Sequence, residues 1–217
     1  VVTVLDAGDD DWGPYLVMEY VEGEPLDRLL KSEPLSEEGA VAIFEGLCRG
    51  VAHAHKKGVI HRDIKPTNIF VTEDMDIKIG DFSIAHITKL DSMATMPMGL
   101  VGSTRYMSPE QINEDIISNQ TDIFSLGIVM YELFAGKHPF VADNFSRLVQ
   151  KILHEDSLVI SEFRSEVGDT LVNIVRKAMA KDRDQRYQMG LEVVNVDAPF
   201  EMPSGEWGEV EWDIGTM

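Results

Sequence analysis

The stretch "IFSLGIVMYELFA", residues 123 to 135, limits what this chain can fold into more than any other. Its apolar residues lie nearly all round a helix, so it has no wet face to show to solvent. It is too short to span a bilayer, and Ser125, Tyr131 and Glu132 interrupt it. The pattern therefore predicts a buried central helix wrapped by other elements. A chain of 217 residues, 44% hydrophobic and 26% charged, can build that core as one domain or one and a half.

The wrapping elements are legible in outline. "VVTVLDAGDDDWGPYLVMEYV" has two β-rich runs around an Asp/Gly/Pro turn, which signals a hairpin. Asp9, Asp10 and Asp11 lack the alternating spacing and distal Glu of a calcium loop. Ser36 ahead of Glu37 and Glu38 reads as an N-cap, after which Phe44, Leu47, Cys48, Val51 and Ala52 share a helical face. Lys56, Lys57 and Gly58 end that helix. "NIFVTEDMDIKIGDF" reads as two short strands around an acidic turn. Residues 84 to 107 show no sustained periodicity, which in a compact domain marks a functional segment. Helices are expected at 121–135, 144–154 and 169–180, and 196–217 reads as an acidic tail or linker.

Charge and cysteine content exclude some functions. A formal net charge of −19 argues against nucleic acid or an anionic membrane as partner, because phosphate surfaces select excess Lys and Arg. The single cysteine, Cys48, permits no internal disulfide and fits a reducing, cytoplasmic setting. His53, His55 and His61 lie close together, but no cysteine or acidic partner completes a zinc pattern.

"VIHRDIKPTNIF", residues 59 to 70, concentrates Arg62, Asp63, Lys65 and Asn68 between apolar ends. Pro66 forces Lys65 away from helical dihedrals, and in extended backbone Asp63 and Lys65 point the same way. A carboxylate beside an ammonium and an amide can bind phosphate, metal and hydroxyl together. On this fragment alone, a surface ion pair worth about 0–1 kcal/mol reads equally well.

Three further stretches favour the chemical reading: "IKIGDFS", "GSTRYMSPEQI" and "TDIFSLGIVMYELFAGKHPF". With them, roughly residues 1 to 195 resemble the catalytic domain of protein kinases, particularly the eukaryotic-like Ser/Thr kinases of bacteria. "HRDIKPTN" matches H-R-D-x-K-x-x-N, "DFS" matches D-F-G, and "SPE" matches A-P-E. The resemblance implies an α+β, protein-kinase-like fold: a remnant of the small lobe and hinge in 1–24, and the helical lobe in 25–195. It implies that Asp63 orients the substrate hydroxyl, that Lys65 offsets charge on the transferring phosphoryl, and that Asn68 and Asp81 hold Mg²⁺ against ATP. Met18 would be the gatekeeper, Glu19 and Val21 would face adenine through their backbones, and Phe70 would pack beneath the ring. Arg62, Ser103, Glu110, Asp122 and Arg186 resemble supporting parts. Ser92 and Thr95 are candidate phosphosites, with Thr104 a weaker one. The implied partner is a protein bearing a Ser or Thr hydroxyl, with autophosphorylation included, and this segment implies no membrane contact.

The chain departs from the family pattern in two places. Ser83 stands where the motif has glycine, which tolerates backbone flips that Ser resists. No G-x-G-x-x-G occurs, and "VAIF" at 41–44 imitates V-A-I-K with Phe44 in place of lysine. The expectation is therefore an N-terminally truncated fragment, inactive by itself. A non-catalytic kinase-like binding module is the alternative. A small-molecule phosphotransferase is disfavoured by "GSTRYMSPE".

Overall fold

The computed structural model describes residues 1–32, 35–81, 102–157, 168–188 and 190–194. The predicted central helix is α4 (Asn119–Ala135), in which all but Asn119, Gln120 and Glu132 are buried. Burying each such Leu, Ile or Phe side chain stabilises the fold by about 1.5–3 kcal/mol. The helix stops at Gly136, whose φ of 66° is left-handed and whose N–H bonds the Glu132 carbonyl.

Helix α2 (Glu37–Lys56) packs on α4 through the face predicted for it, and Ser36 caps it by accepting from the Gly39 N–H at 3.1 Å. Helices α6 (Asp169–Ala178) and α7 (Gly190–Val194) pack on α4 and α2 respectively. Helix α6 buries Leu171, Ile174, Val175 and Ala178, as its spacing predicts. Helix α5 (Phe145–His154) is amphipathic and turns Phe145, Leu148 and Ile152 inward. The remaining helices, α1 (Leu26–Ser32) and α3 (Pro109–Ile112), are short.

Among the described residues there are also two small sheets. Strands β1 (Val4–Asp10) and β2 (Gly13–Met18) form the predicted antiparallel hairpin. Strands β3 (Glu24–Pro25), β4 (Ile69–Val71) and β5 (Ile77–Ile79) form the other sheet, with β4 in the middle. The expected boundary at residue 25 thus falls inside β3, whose residues pair with β4. Strand β5 lies against α2 because Gly46 leaves room: a Cβ there would come within 2.5 Å of Ile77. The hairpin joins β5 where the Val2 N–H bonds the Ile79 carbonyl at 2.9 Å. Among the described residues, no helix is long and apolar enough to cross a membrane.

Candidate active site

Strand β4 and a one-turn 3-10 helix (Pro66–Asn68) fix the end of the loop that starts at His61. Ile64 and Ile69 are fully buried and pin it to the core. Between these anchors the polar side chains converge. Lys65 Nζ lies 2.6 Å from Asp63 Oδ2, and Asn68 Nδ2 donates to the same oxygen at 3.2 Å and to the Asp63 carbonyl at 3.0 Å. This cluster is partly buried, unlike the surface ion pair that the fragment alone allowed.

The loop backbone is held from below. Arg62 has φ of 70°, a left-handed conformation that costs a non-glycine residue about 1–3 kcal/mol unless its surroundings impose it. Two side chains do so. Asp122 Oδ1, in the first turn of α4, accepts the Arg62 N–H at 2.8 Å, and Gln111 Nε2 donates to the Arg62 carbonyl at 2.8 Å. Gln111 is itself fixed in a capping box with Ser108 at the start of α3. Asp122 Oδ2 also accepts the His61 N–H and His55 Nε2–H, both at 2.8 Å.

His61 ties this loop to the next one. Its Nδ1 accepts the Asp63 N–H at 3.2 Å and its Nε2–H donates to the Gly80 carbonyl at 2.9 Å. The Gly80 N–H bonds the Asn68 carbonyl at 2.9 Å. Asp81 follows directly, exposed and left-handed at φ 55°. The residue before this second acidic group is thus tied to the Asp63 loop by one backbone bond and by the His61 ring.

A second anchor holds the segment after residue 102. Arg186 donates to both oxygens of Glu110, at 2.8 and 3.0 Å, and to the carbonyls of Ala180, Gln120 and Lys181. Burial pushes the Glu110 carboxyl up, but the Arg186 guanidinium and the Thr121 hydroxyl outweigh it and hold it below the usual range. Tyr106 donates to Glu132 at 2.8 Å, and burial raises both the phenol and that carboxyl. Thr104, the weaker phosphosite candidate, is 3% exposed, so its hydroxyl is poorly accessible in this conformation.

The remaining expected residues are placed as follows. Met18 ends β2 and is exposed. The Glu19 carboxylate accepts from the Thr3 N–H at 2.8 Å and pairs with Lys78 at 3.1 Å; the backbone bond, then the lysine, hold it below the usual range. Phe70, in β4, sits against Gly80, where a Cβ would come within 3.2 Å of the ring. Val21 is half-buried on the segment between the hairpin and β3. Ser103 belongs to a 3-10 helix (Gly102–Tyr106), while its side chain, together with Ser83, Ser92 and Thr95, lies outside the described residues.

Sequence comparison matches this chain to the protein kinase domain over residues 1–195. The chain belongs to the protein kinase domain family. A probable serine/threonine-protein kinase of Clostridium perfringens is 38% identical over 195 residues, covering 89% of this chain and 28% of the relative. The serine/threonine-protein kinase PrkC of Bacillus subtilis is 37% identical over 190 residues, covering 87% and 29%. PknB of Mycobacterium leprae, also named a serine/threonine-protein kinase, is 32% identical over 198 residues, covering 89% and 32%. The chain therefore spans about three-tenths of the length of these relatives.

Within this protein kinase fold, two supporting residues escaped sequence reading. The sequence offers His55 only as a candidate metal ligand, whereas its side chain is fully buried against Asp122. Gln111 was invisible as a loop support, although the pattern Ser108-x-x-Gln111 signals the cap that positions it.

Proposed function

We propose that this chain is the helical lobe of a Ser/Thr protein kinase that transfers the ATP γ-phosphate to protein hydroxyls. The observation that carries the reading is the Asp63 carboxylate. One of its oxygens is engaged by Lys65 and Asn68, on a loop whose backbone is clamped on both sides of Arg62. A group held this way can orient an attacking hydroxyl and accept its proton, while Lys65 offsets charge on the phosphoryl. Asn68 offers a side-chain oxygen and Asp81 an exposed carboxylate. Mg²⁺ prefers such hard oxygens, one or two from carboxylates with the rest from phosphates and water. The bound ion would neutralise phosphate charge as the bond to the leaving group breaks. Phe70 beside Gly80 and the Met18–Val21 segment are the adenine-side candidates.

Lys65, two residues after Asp63, supports Ser/Thr rather than tyrosine specificity by resemblance to that branch. The names of the relatives agree in class. Autophosphorylation at Ser92 or Thr95, gripped by Arg62, would be the corresponding control. A cytoplasmic setting fits the single, buried thiol of Cys48.

The test is Mg²⁺-dependent phosphate transfer to a Ser/Thr-containing protein, in a chain that also carries a glycine-rich loop and a phosphate-positioning lysine. Asp63→Asn should lower turnover by about 10²–10⁴-fold with nucleotide binding retained. Undiminished turnover in that variant would remove Asp63 from the mechanism. Nucleotide binding without any transfer in the unmodified sequence would favour a kinase-like binding module.

A further inference from the structure

Lys181, in the loop after α6, is a half-buried amine that the chemistry above leaves unused. Its Nζ reaches the last turn of α5, where it donates to the Ile152 carbonyl at 2.7 Å and the Lys151 carbonyl at 3.2 Å. Carbonyls in a helix's last turn run out of donors from the helix itself. The same nitrogen lies 4.3 Å from the centre of the Phe140 ring and 5.7 Å from that of Phe124. Its partners among the described residues are those carbonyls and rings, with no carboxylate among them. Three ammonium protons thus meet two acceptors, and rings stand where water would be. A neutral amine suits the place better: it has two N–H groups for the two carbonyls and a lone pair left over.

The electrostatics agree with that geometry. Burial pushes the Lys181 pKa down to about 8. Asp156 and Glu155, just past α5, favour the charge, and Arg186 opposes it. Of the other charged groups around it, Glu110 is held by Arg186, and Arg183 donates to the Ile116 carbonyl. Asp115 and Asp182 are exposed. On α6, Arg176 donates to Asn173 and Lys177 lies over the Tyr187 ring. Lysines stripped of water in this way act as nucleophiles. Lys181 also lines two cavities, of about 370 and about 1070 Å³, which give a small reagent a path to it.

We propose that Lys181 is an acceptor site for small activated acyl groups, and that acylation releases the end of α5. The Nζ lone pair attacks the carbonyl carbon of an acyl phosphate or a thioester. An N–C bond forms and the C–O or C–S bond breaks. Phosphate or thiolate leaves with the electron pair, and the amine proton passes to water. The product amide keeps one N–H for two carbonyls and has no charge to offer the Phe140 ring. Phosphate transfer is not involved, since Asp63, Asn68 and Asp81 line neither cavity.

Peptide mass spectrometry of the purified chain, after exposure to acetyl phosphate or to the acetyl thioester of a small thiol, reads the initial rate at each lysine. Lys56 and Lys57, exposed at the end of α2, are the references. At pH 8 an amine with a pKa of about 8 is half neutral, against about one in 300 for an ordinary lysine. Lys181 should therefore outrun the references by about tenfold or more, even though a weaker base is a weaker nucleophile. An advantage with one donor alone supports the site and names the source of the acyl group. Above about pH 9 the Lys181 rate should level off while the reference rates go on rising. In guanidinium chloride the advantage should vanish, and in the acetylated fraction amide exchange over residues 152–155 should quicken. A Lys181 rate no greater than the references, one that climbs in parallel with them to pH 10, or an advantage that survives unfolding would overturn the acceptor site. Unchanged exchange in that turn would overturn the release. None of these results touches the assignment of Asp63.

Discussion

Replacing Asp122 by asparagine tests the scaffold beneath the candidate catalytic loop with almost no change of shape. The carboxylate has two oxygens and three donors: Oδ1 takes the Arg62 N–H, while Oδ2 takes the His61 N–H and His55 Nε2–H. Asparagine supplies one oxygen and one NH₂ group. If its oxygen keeps the Oδ2 position, the NH₂ faces the Arg62 N–H, donor against donor. One hydrogen bond to a charged acceptor is lost, at about 1.5–3 kcal/mol, and the donor left behind adds about 1–3 kcal/mol. The two surviving bonds also weaken, because charge no longer assists them. The expected loss is therefore about 3–5 kcal/mol, out of a total stability of about 5–15 kcal/mol for an ordinary domain. The chain should still fold, but Arg62 is no longer forced to φ 70° and the loop carrying Asp63 can relax. Urea unfolding gives the stability difference, and amide hydrogen exchange at His61 and Arg62 reports the loop. A loss under about 1 kcal/mol with unchanged protection of both amides would refute the claim that this carboxylate holds the loop.

Other outcomes follow from the same contacts. Asp81→Asn should weaken Mg·ATP binding as well as turnover, whereas Asp63→Asn spares binding; calorimetry with Mg·ATP separates the two. Glu110→Gln leaves Arg186 buried without its counter-charge and should cost about 3–5 kcal/mol near neutral pH. Because the Glu110 carboxyl is held below its usual value, its contribution is present above the usual carboxylate range and fades as pH falls through the folded value. The gap between wild type and Glu110→Gln, read from urea midpoints, should therefore narrow on acidification; a gap constant from neutral pH to about pH 3 would contradict that linkage. In the hairpin, Leu5 is 64% and Leu16 53% exposed, so the purified chain should self-associate, and Leu5→Lys should reduce this in sedimentation velocity.

What was legible in the sequence is what local physics decides. The burial of α4 follows from apolar side chains on every face, and the start of α2 from Ser36 ahead of two glutamates. The β1–β2 hairpin and the β4–β5 pair follow from β-branched runs bounded by turn residues. The motif residues Asp63, Lys65 and Asn68 also lie within a few positions of one another, joined by an extended Lys65 and the 3-10 turn at Pro66–Asn68, so they are close along the chain before any distant contact forms. What escaped was set by distant partners. No local rule gives Arg62 a left-handed backbone; Asp122, 60 positions away, and Gln111, 49 away, impose it. His55 was unreadable for the same reason, because its partner lies 67 positions along the chain. Strand β3 has only two residues, too few to leave a pattern.

The placement of Asp122 explains why a helix as apolar as α4 begins with polar residues. The N-terminus of a helix leaves N–H groups unpaired and carries partial positive charge, which favours a carboxylate in its first turn. Thr121 and Asp122 occupy that turn, both fully buried, and each reaches a different loop. Thr121 donates to Glu110 Oε1 at 2.9 Å, the carboxylate that Arg186 also holds, and so touches the segment after residue 102. Asp122 grips the loop of Asp63. Further along, Ser125 donates to the Tyr106 carbonyl at 2.6 Å, again outward from the helix to the segment after 102. The apolar body of α4 is locked by close packing, which leaves its polar end little freedom to move. Both loops therefore inherit their position from one rigid element. The proposed phosphoryl transfer would depend on positioning more than on covalent participation by the protein, and a buried helix that fixes two loops at once supplies that positioning.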